Sequence, residues 1–430
     1  MGNIVNPPAK PNVLGRTILY ILLILGLILT IWRFMNGLGS ITNLNDSYPW
    51  GFWIGFDILT GIALAAGGFT LTAGIYIWGN KKYHPLARPA ILTAFLGYVF
   101  FVIALFIDLG RGLVMWHMFL PSMWQHNSVM FEVGWCVATY LTILFFEFLP
   151  SVLEKFHKKD LLRLWEQATP FIVIILLTLF TYAMTSSPVW AGVILAITAI
   201  FEVLQSIGTV PRSRPVPILL IMAGVLLSCL HQSSLGSLFL IVPDKLSDLW
   251  YTPALPLIFL LSAIMVGPAM VIFEGIVSAK IYKRKPEMEL LSGLGKVMPY
   301  LLGIYLIFRI VTLALQGGLG AAWAFDTQSI MFLLEIGLGV IVPLLLFSSK
   351  GSRATENGLL WASLCTVIGL FIHRFNVSYI GLQVPGWETY TPAWGEYLVS
   401  LGVVAAGLLL FGYIVRNFPI YEKPLNLEAK

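Results

Sequence analysis

The most constraining feature of this 430-residue sequence is a series of twelve apolar runs, each near the length that crosses a bilayer. A membrane-spanning helix needs roughly 20 mostly apolar residues, because lipid cannot satisfy its backbone polar groups. The sequence therefore predicts an all-α polytopic membrane protein. The predicted spans are 17–36, 52–78, 90–110, 129–149, 169–186, 189–207, 216–231, 253–279, 299–316, 328–347, 357–373 and 394–416.

Composition supports this fold class and excludes several others. The chain is 58% hydrophobic and 11% charged, whereas a soluble domain carries about 25% charged residues. This excludes an ordinary cytosolic enzyme, a nucleic-acid reader and a disordered linker. The three cysteines form no CxxC motif, so the sequence predicts no cysteine-bound zinc or iron–sulfur cluster.

Spans five and six leave the helix count at ten or twelve, because only residues 185–188 separate them. They could form a hairpin of two full spans or a shallower re-entrant pair. The run after Arg16 is too long for a signal peptide, which predicts a first span that stays. We expect one integral domain over 1–416, with a first bundle at 17–149, an inserted pair at 169–207 and further helices at 216–416. The tail is 417–430.

Basic residues predict the orientation. All but five of the 26 Lys and Arg residues fall on one side of the predicted spans. The positive-inside rule makes that side cytoplasmic, with both termini there, and predicts a multi-pass protein of the bacterial inner membrane. Snorkelling would explain Arg33 and Arg374, which lie near span ends, but not Arg309, which lies well inside span nine. The five exceptions are Arg33, Arg111, Lys245, Arg309 and Arg374.

Acidic residues in the apolar runs predict a functional site. A central ionisable group costs roughly 2.5–3.5 kcal/mol on insertion scales, so such groups mark pathways or sites unless they form structural ion pairs. We expect a proton pathway to include these acids and Arg309. The acids are Asp57, Glu132, Glu147, Glu202, Glu274 and Glu335, with Asp108 at the outer end of span three.

Several of these groups are predicted to cluster toward the outer face. Asp57, Gly61 and Gly68 would share a helix face, and Asp108 would meet Arg111 three residues later. His231 and Gln232 would cap span seven. The predicted cluster contains Asp57, Asp108, Arg111, Glu132 and His231, while Glu147, Glu202 and Glu274 lie toward the inner face.

Two further patterns are weaker. His231 and His373 are the only two histidines that could face one another across a haem, and the sequence disfavours haem. Residues 127–132 and 328–335 resemble one another at the outer start of spans four and ten. This echo suggests duplicated bundles in a parallel repeat, with coincidence as the alternative.

The sequence also resembles the NrfD/PsrC family, the polysulfide-reductase-type membrane subunits, and within it the Hyb-type subunit of periplasmic nickel–iron hydrogenases. The matching segments follow in order along most of the chain. They are PWGFWIGFD (49–57), AAGG (65–68), YHPLARP (83–89), DLGR (108–111), NSVMFE (127–132), EF (147–148), HQSSLGS (231–237), FEG (273–275) and PAWGE (392–396).

The resemblance implies a haem-free subunit with two four-helix bundles plus additional helices. Such a subunit exchanges electrons between a quinone, which we expect to be menaquinone, and an extracytoplasmic iron–sulfur partner. A catalytic or multihaem cytochrome subunit would complete the complex. Residues 170–212 are longer than the Hyb-type pattern, which is consistent with an inserted helix pair.

Quinone chemistry suits the predicted acids. A quinone pocket needs apolar walls, hydrogen-bond donors and groups that move two protons. We expect His231 to contact a carbonyl, Asp57 and Glu132 to exchange protons, and Arg111 to hold Asp108. Asn127 would complete the site. A secondary transporter and a purely structural anchor of a redox complex remain alternatives.

Overall fold

A computed structural model of the chain describes residues 13–45, 48, 50–209, 217–383 and 389–421. Predictions that involve Lys10, Pro49, Arg212, Arg214 or residues 422–430 fall outside them. In the described ranges the chain is helical, with a single isolated bridge and twelve helices long and apolar enough to cross a membrane. The predicted all-α polytopic fold is confirmed. The helices are α1 Val13–Asn36, α2 Ile54–Ile77, α3 Lys81–Asp108, α4 Val129–Lys155, α5 Lys159–Thr185, α6 Pro188–Ser206, α7 Ile218–Ile241, α8 Leu255–Ile281, α9 Met288–Leu315, α10 Thr327–Ser348, α11 Glu356–Leu382 and α12 Trp394–Asn417.

Spans five and six form a hairpin of two complete helices. Ser186 ends α5 in the left-handed conformation at φ 51°, and the Ser187 hydroxyl accepts a hydrogen bond from the backbone N–H of Trp190. Pro188 begins α6, where its missing N–H costs no helical bond. The re-entrant alternative is therefore excluded. The hairpin packs on α4 and α7 through α5, which leaves α6 at the periphery.

The remaining helices pack as two closed groups of four. In the first group α2, α3, α4 and α7 contact one another around a square, and in the second α8, α9, α10 and α11 do the same. We therefore assign α7 to the first bundle. The bundles meet where α8 packs on α2 and α7 and where α11 packs on α2. Helix α1 lies along α12, which packs on α3.

Helix α2 is irregular, and this changes which residues share a face. It begins with a π-helical segment over Ile54–Thr60, and its regular helix breaks after Leu64. A π turn adds a residue and rotates everything that follows, and such turns are frequent at functional sites. A Cβ on Gly68 would lie 2.5 Å from the Cβ of Ala94, whereas a Cβ on Gly61 would meet nothing within 4 Å. The predicted common face is therefore wrong for Gly68, which contacts α3.

Helix α7 is longer than predicted. Its α-helical part runs from Ile218 to Ser237 and a 3-10 turn extends it to Ile241. His231 is consequently buried inside the helix, and the prediction that His231 and Gln232 cap its outer end is wrong.

The contact between α10 and α11 gives a test of packing. A Cβ on Gly369 would lie 2.0 Å from the Cα of Gly339, and backbone cannot move aside cheaply. We expect Gly369→Ala to lower the free energy of unfolding by about 1–3 kcal/mol through overpacking. Thermal unfolding in detergent would measure the loss. Gly303→Ala, at an open position of α9, is the control and should change stability by about 1 kcal/mol or less. Equal stability of both variants would contradict the packing.

Candidate functional site

A cavity of about 690 Å³ lies between α1, α2, α3, α8 and α12. This volume is within the range of small-molecule sites, which are mostly apolar with a few polar groups. Leu64, Leu96 and Phe100 contribute to its apolar walls. Residues 403–417 of α12 line it over about 20 Å of helix, given a rise of 1.5 Å per residue. The cavity is therefore long enough for a ring and part of a chain.

Asp57 lies at one end of this cavity, in the π-helical segment of α2. The hydroxyl of Ser400 on α12 donates to Asp57 Oδ2 at 2.5 Å. The acid is also in the first turn of α2, where the helix dipole favours a negative charge. Asp57 thus presents a carboxyl to an otherwise apolar space, held by one hydroxyl from across it.

Glu274 and two arginines define the rest of the cavity. The hydroxyl of Thr93 donates to Glu274 Oε2 at 2.6 Å, while Glu274 Oε1 has no hydrogen-bond partner among the described residues. Arg16, at the start of α1, and Arg416, at the end of α12, lie at the opposite end from Asp57. The Arg16 guanidinium donates to the hydroxyl of Tyr20 at 3.2 Å. Polar groups therefore occur at both ends and once between.

His231 and Glu132 lie outside this cavity, in the first bundle. The hydroxyl of Ser234 donates to Glu132 Oε1 at 2.6 Å. His231 is fully buried, with its ring 5.7 Å from that of Tyr98 and 6.0 Å from that of Phe101. Phe101 also lines the cavity. Its ring therefore borders both the space at Asp57 and the interior that holds His231.

The predicted pairing of Asp108 with Arg111 is wrong. Helix α3 ends at Asp108 and Leu109 is extended, so the two residues do not share a helix face. Arg111 is exposed, as is Asn127. The guanidinium of Arg33 instead donates to the carbonyl of Leu109 at 2.5 Å. It is buried, so the snorkelling interpretation of Arg33 is also wrong.

Glu335 is the centre of a buried network in the second bundle. Its Oε2 accepts from the indole N–H of Trp250 and the amide of Asn376, both at 2.9 Å. Its Oε1 lies 3.0 Å from His373 Nδ1 and 3.7 Å from Arg309 Nε. Every one of these side chains is buried. Predicted as members of a proton pathway, Glu335 and Arg309 instead form an ion pair.

Arg374, beside His373 in sequence, is likewise buried and does not snorkel. One of its Nη atoms donates to the carbonyl of Phe259 at 3.1 Å and to the hydroxyl of Ser262 at 2.9 Å. Its guanidinium lies 3.6 Å from the centre of the Phe259 ring. Sequence analysis missed these partners, although His373 and Asn376 are three residues apart and share a helix face.

Glu147 and Glu202 complete the predicted acids. Glu147 of α4 is buried, and a Cβ added to Gly224 of α7 would lie 3.1 Å from its Oε1. Glu202 lies on α6, at the periphery. The structure thus distributes the predicted acids over four places: the cavity, the first bundle, the second bundle and the hairpin.

Aromatic rings close the outer end of the fold near α11 and α12. The Tyr48 ring stacks on Tyr390 at 4.9 Å, and its hydroxyl donates to the carbonyl of Tyr379 at 2.6 Å. Burial raises the pKa of the Tyr48 hydroxyl well above its ordinary value. The Lys245 ammonium lies 5.1 Å from the centre of the same ring, and burial lowers the pKa of this lysine. These residues form a neutral, tightly packed layer.

The Glu335 network gives a stability prediction. Arg309→Met removes one charge and leaves a buried carboxylate without its cation, so we expect a loss of about 3–5 kcal/mol in the free energy of unfolding. Glu154→Gln is the control, because Glu154 pairs with Arg88 at 3.0 Å on a partly exposed surface. Exposed pairs contribute about 1 kcal/mol or less. Thermal unfolding of the purified protein would compare the variants, and similar melting temperatures would refute the buried ion pair.

Comparisons with known proteins extend over most of the chain. The family described as "Polysulphide reductase, NrfD" matches residues 40–386. A protein of Nitratidesulfovibrio vulgaris is 36% identical over 433 residues, covering 96% of each chain. The "Probable Ni/Fe-hydrogenase 2 b-type cytochrome subunit" of Escherichia coli is 30% identical and covers 93% of this chain and 90% of its own. The "Menaquinone reductase, integral membrane subunit" of N. vulgaris is 25% identical, covering 92% and 88%.

The name of the Escherichia coli relative includes a b-type cytochrome, whose haem would need histidine ligands. The two buried histidines of this chain belong to different bundles. His231 contacts Tyr98 and Phe101 of α3, whereas His373 bonds to Glu335 of α10. These residues do not fit a haem held between two histidines.

Proposed function

The chain belongs to the NrfD family of membrane subunits, and on this premise we propose that it binds a quinone in the cavity at Asp57 and serves a multi-subunit redox complex. The single observation that carries the proposal is the elongated apolar cavity that ends in the Asp57–Ser400 pair. Electrons would pass between the quinone and an iron–sulfur subunit bound at the outer face, with a catalytic or multihaem cytochrome subunit completing the complex.

The chemistry of the cavity matches a quinone. Reduction of a quinone to a quinol adds two electrons and two protons, one on each carbonyl oxygen. Asp57 can donate one proton to the nearer oxygen when protonated, and Ser400 holds the carboxyl in place. A positioned acid of this kind contributes about 10²–10⁴ in rate. Glu274, farther along the cavity, provides a second carboxyl.

The walls suit the remainder of a quinone. Their side chains are mostly apolar, and the isoprenoid tail would lie along α12 between Asp57 and the Arg416 end. The relative named as a menaquinone reductase subunit supports menaquinone as the substrate. We place both termini in the cytoplasm on the charge asymmetry of the loops, which puts Asp57 near the outer face and the electron partner.

Replacement of Asp57 tests the proposal. We expect Asp57→Asn to reduce quinone turnover by about 100-fold or more, because the amide cannot exchange the proton. Turnover would be measured on the purified complex with an artificial electron donor and a soluble quinone. Glu289→Gln, at an exposed acid of α9, should leave turnover unchanged. Full activity of Asp57→Asn would remove the cavity from the reaction.

Filling the cavity gives an independent test. Gly61 lines it, and a Cβ there meets nothing within 4 Å. We expect Gly61→Leu to fold normally and to raise the KM for quinone by about tenfold, because the side chain occupies the space of the ring. Gly303→Leu, at an open site of α9, is the matched control. An unchanged KM in the Gly61 variant would show that quinone binds elsewhere.

A further inference from the structure

The interior of the first bundle contains polar atoms that the protein leaves without partners. Tyr98 of α3 and Ser228, His231 and Gln232 of α7 are each at most 1% exposed. Five of their atoms form no hydrogen bond within the part of the chain that the structure describes: the Tyr98 hydroxyl, the Ser228 hydroxyl, both His231 ring nitrogens and Gln232 Oε1. Buried polar atoms in proteins almost always have a partner, so this concentration needs an explanation.

These atoms face one another rather than being scattered. The Tyr98 hydroxyl faces Ser228 and Gln232 without a direct bond to either, and the Tyr98 and His231 rings are 5.7 Å apart. Gln232 is fixed by its amide, which donates to the carbonyl of Ile62 at 3.3 Å. A polar space of this kind is where buried water resides, because each water needs two to four polar partners.

We propose that Tyr98, Ser228, His231 and Gln232 enclose a hydrated chamber that relays protons between Glu147 and Glu132. Both acids lie on α4 and face α7 beside the chamber. A Cβ on Gly224 would meet Glu147 Oε1, and Ser234 donates to Glu132. From Gly224 to Ser234, α7 rises about 15 Å. The relay therefore crosses about half of the 30 Å hydrocarbon core.

The relay is balanced proton by proton. A protonated carboxyl at one end gives its proton to the nearest water, and each water or hydroxyl accepts one proton while it gives up another. The His231 ring accepts at one nitrogen and releases from the other. The carboxylate at the far end takes up the last proton. Only O–H and N–H bonds form or break, and no electron moves.

The chamber is separate from the cavity at Asp57, because the ring of Phe101 borders both. Hydration of the chamber does not depend on what the cavity binds. Proton movement driven by turnover does rest on the proposed quinone chemistry, which consumes or releases protons. The two can therefore fail separately.

Radiolytic hydroxyl labelling of the purified complex tests the water. Radicals form at bound water, so we expect Tyr98 to be oxidised at least about fivefold faster than Tyr48. Tyr48 is the matched control because it is equally buried but its hydroxyl is bonded to Tyr379. Ser228→Leu should abolish the fast labelling by displacing water, whereas Ser228→Ala should retain it.

Two outcomes overturn the chamber. Equal labelling of Tyr98 and Tyr48 would show that it is dry. Protection of Tyr98 by a saturating quinone analogue would make it the quinone site instead. Fast labelling that persists in Asp57→Asn, which stops turnover, supports a chamber independent of the cavity.

Proteoliposomes that contain the complex and a pH-sensitive dye test the relay. We expect Glu147→Gln and Tyr98→Phe to slow proton movement across the membrane by about tenfold per quinone turned over, because each interrupts one hand-over. Glu289→Gln should leave it unchanged. An unaltered ratio of protons moved to quinones turned over in both variants would overturn the relay, even if labelling shows water.

Discussion

Lipid offers no hydrogen bonds, so every polar group inside the twelve spans must find a partner in the protein, in water or in a ligand. The two bundles meet this constraint in opposite ways. In the second bundle, Glu335 receives donors from Trp250 and Asn376 and lies against Arg309 and His373. In the first bundle, four buried side chains leave five atoms without a protein partner.

This contrast divides the labour between the bundles. A buried ion pair with additional hydrogen bonds is costly to disrupt, so Glu335 fixes α9, α10 and α11 relative to one another. Glu132 has a similar position, on the third helix of its bundle and bonded to the fourth through Ser234. The correspondence fits the echo between residues 127–132 and 328–335. One copy of the arrangement is locked by arginine, and the other keeps a carboxyl whose proton can move.

The sequence predicted the helices well because the bilayer imposes a length that apolar runs must satisfy. It identified Asp57, Glu132 and Glu335 as unusual because charge within such a run is costly. It did not predict their partners, since Ser400 and Thr93 are unremarkable hydroxyls and lie on other helices. It also misjudged faces and ends. The π turn in α2 rotates Gly68 away from Asp57, and α3 ends at Asp108 before Arg111 can meet it. Hydrophobicity does not encode these local departures from a regular helix.

The ring of Phe101 has a consequence for coupling. Because it borders both the cavity at Asp57 and the chamber at His231, a ligand that displaces this ring would change the hydration of the chamber without contacting it. The quinone ring and the proton path would then remain in separate compartments, which prevents direct exchange of protons between them. An apolar partition with one movable side chain is sufficient for such a device. It requires only that the bound and free cavities favour different positions of Phe101 by a free-energy difference that ligand binding can supply.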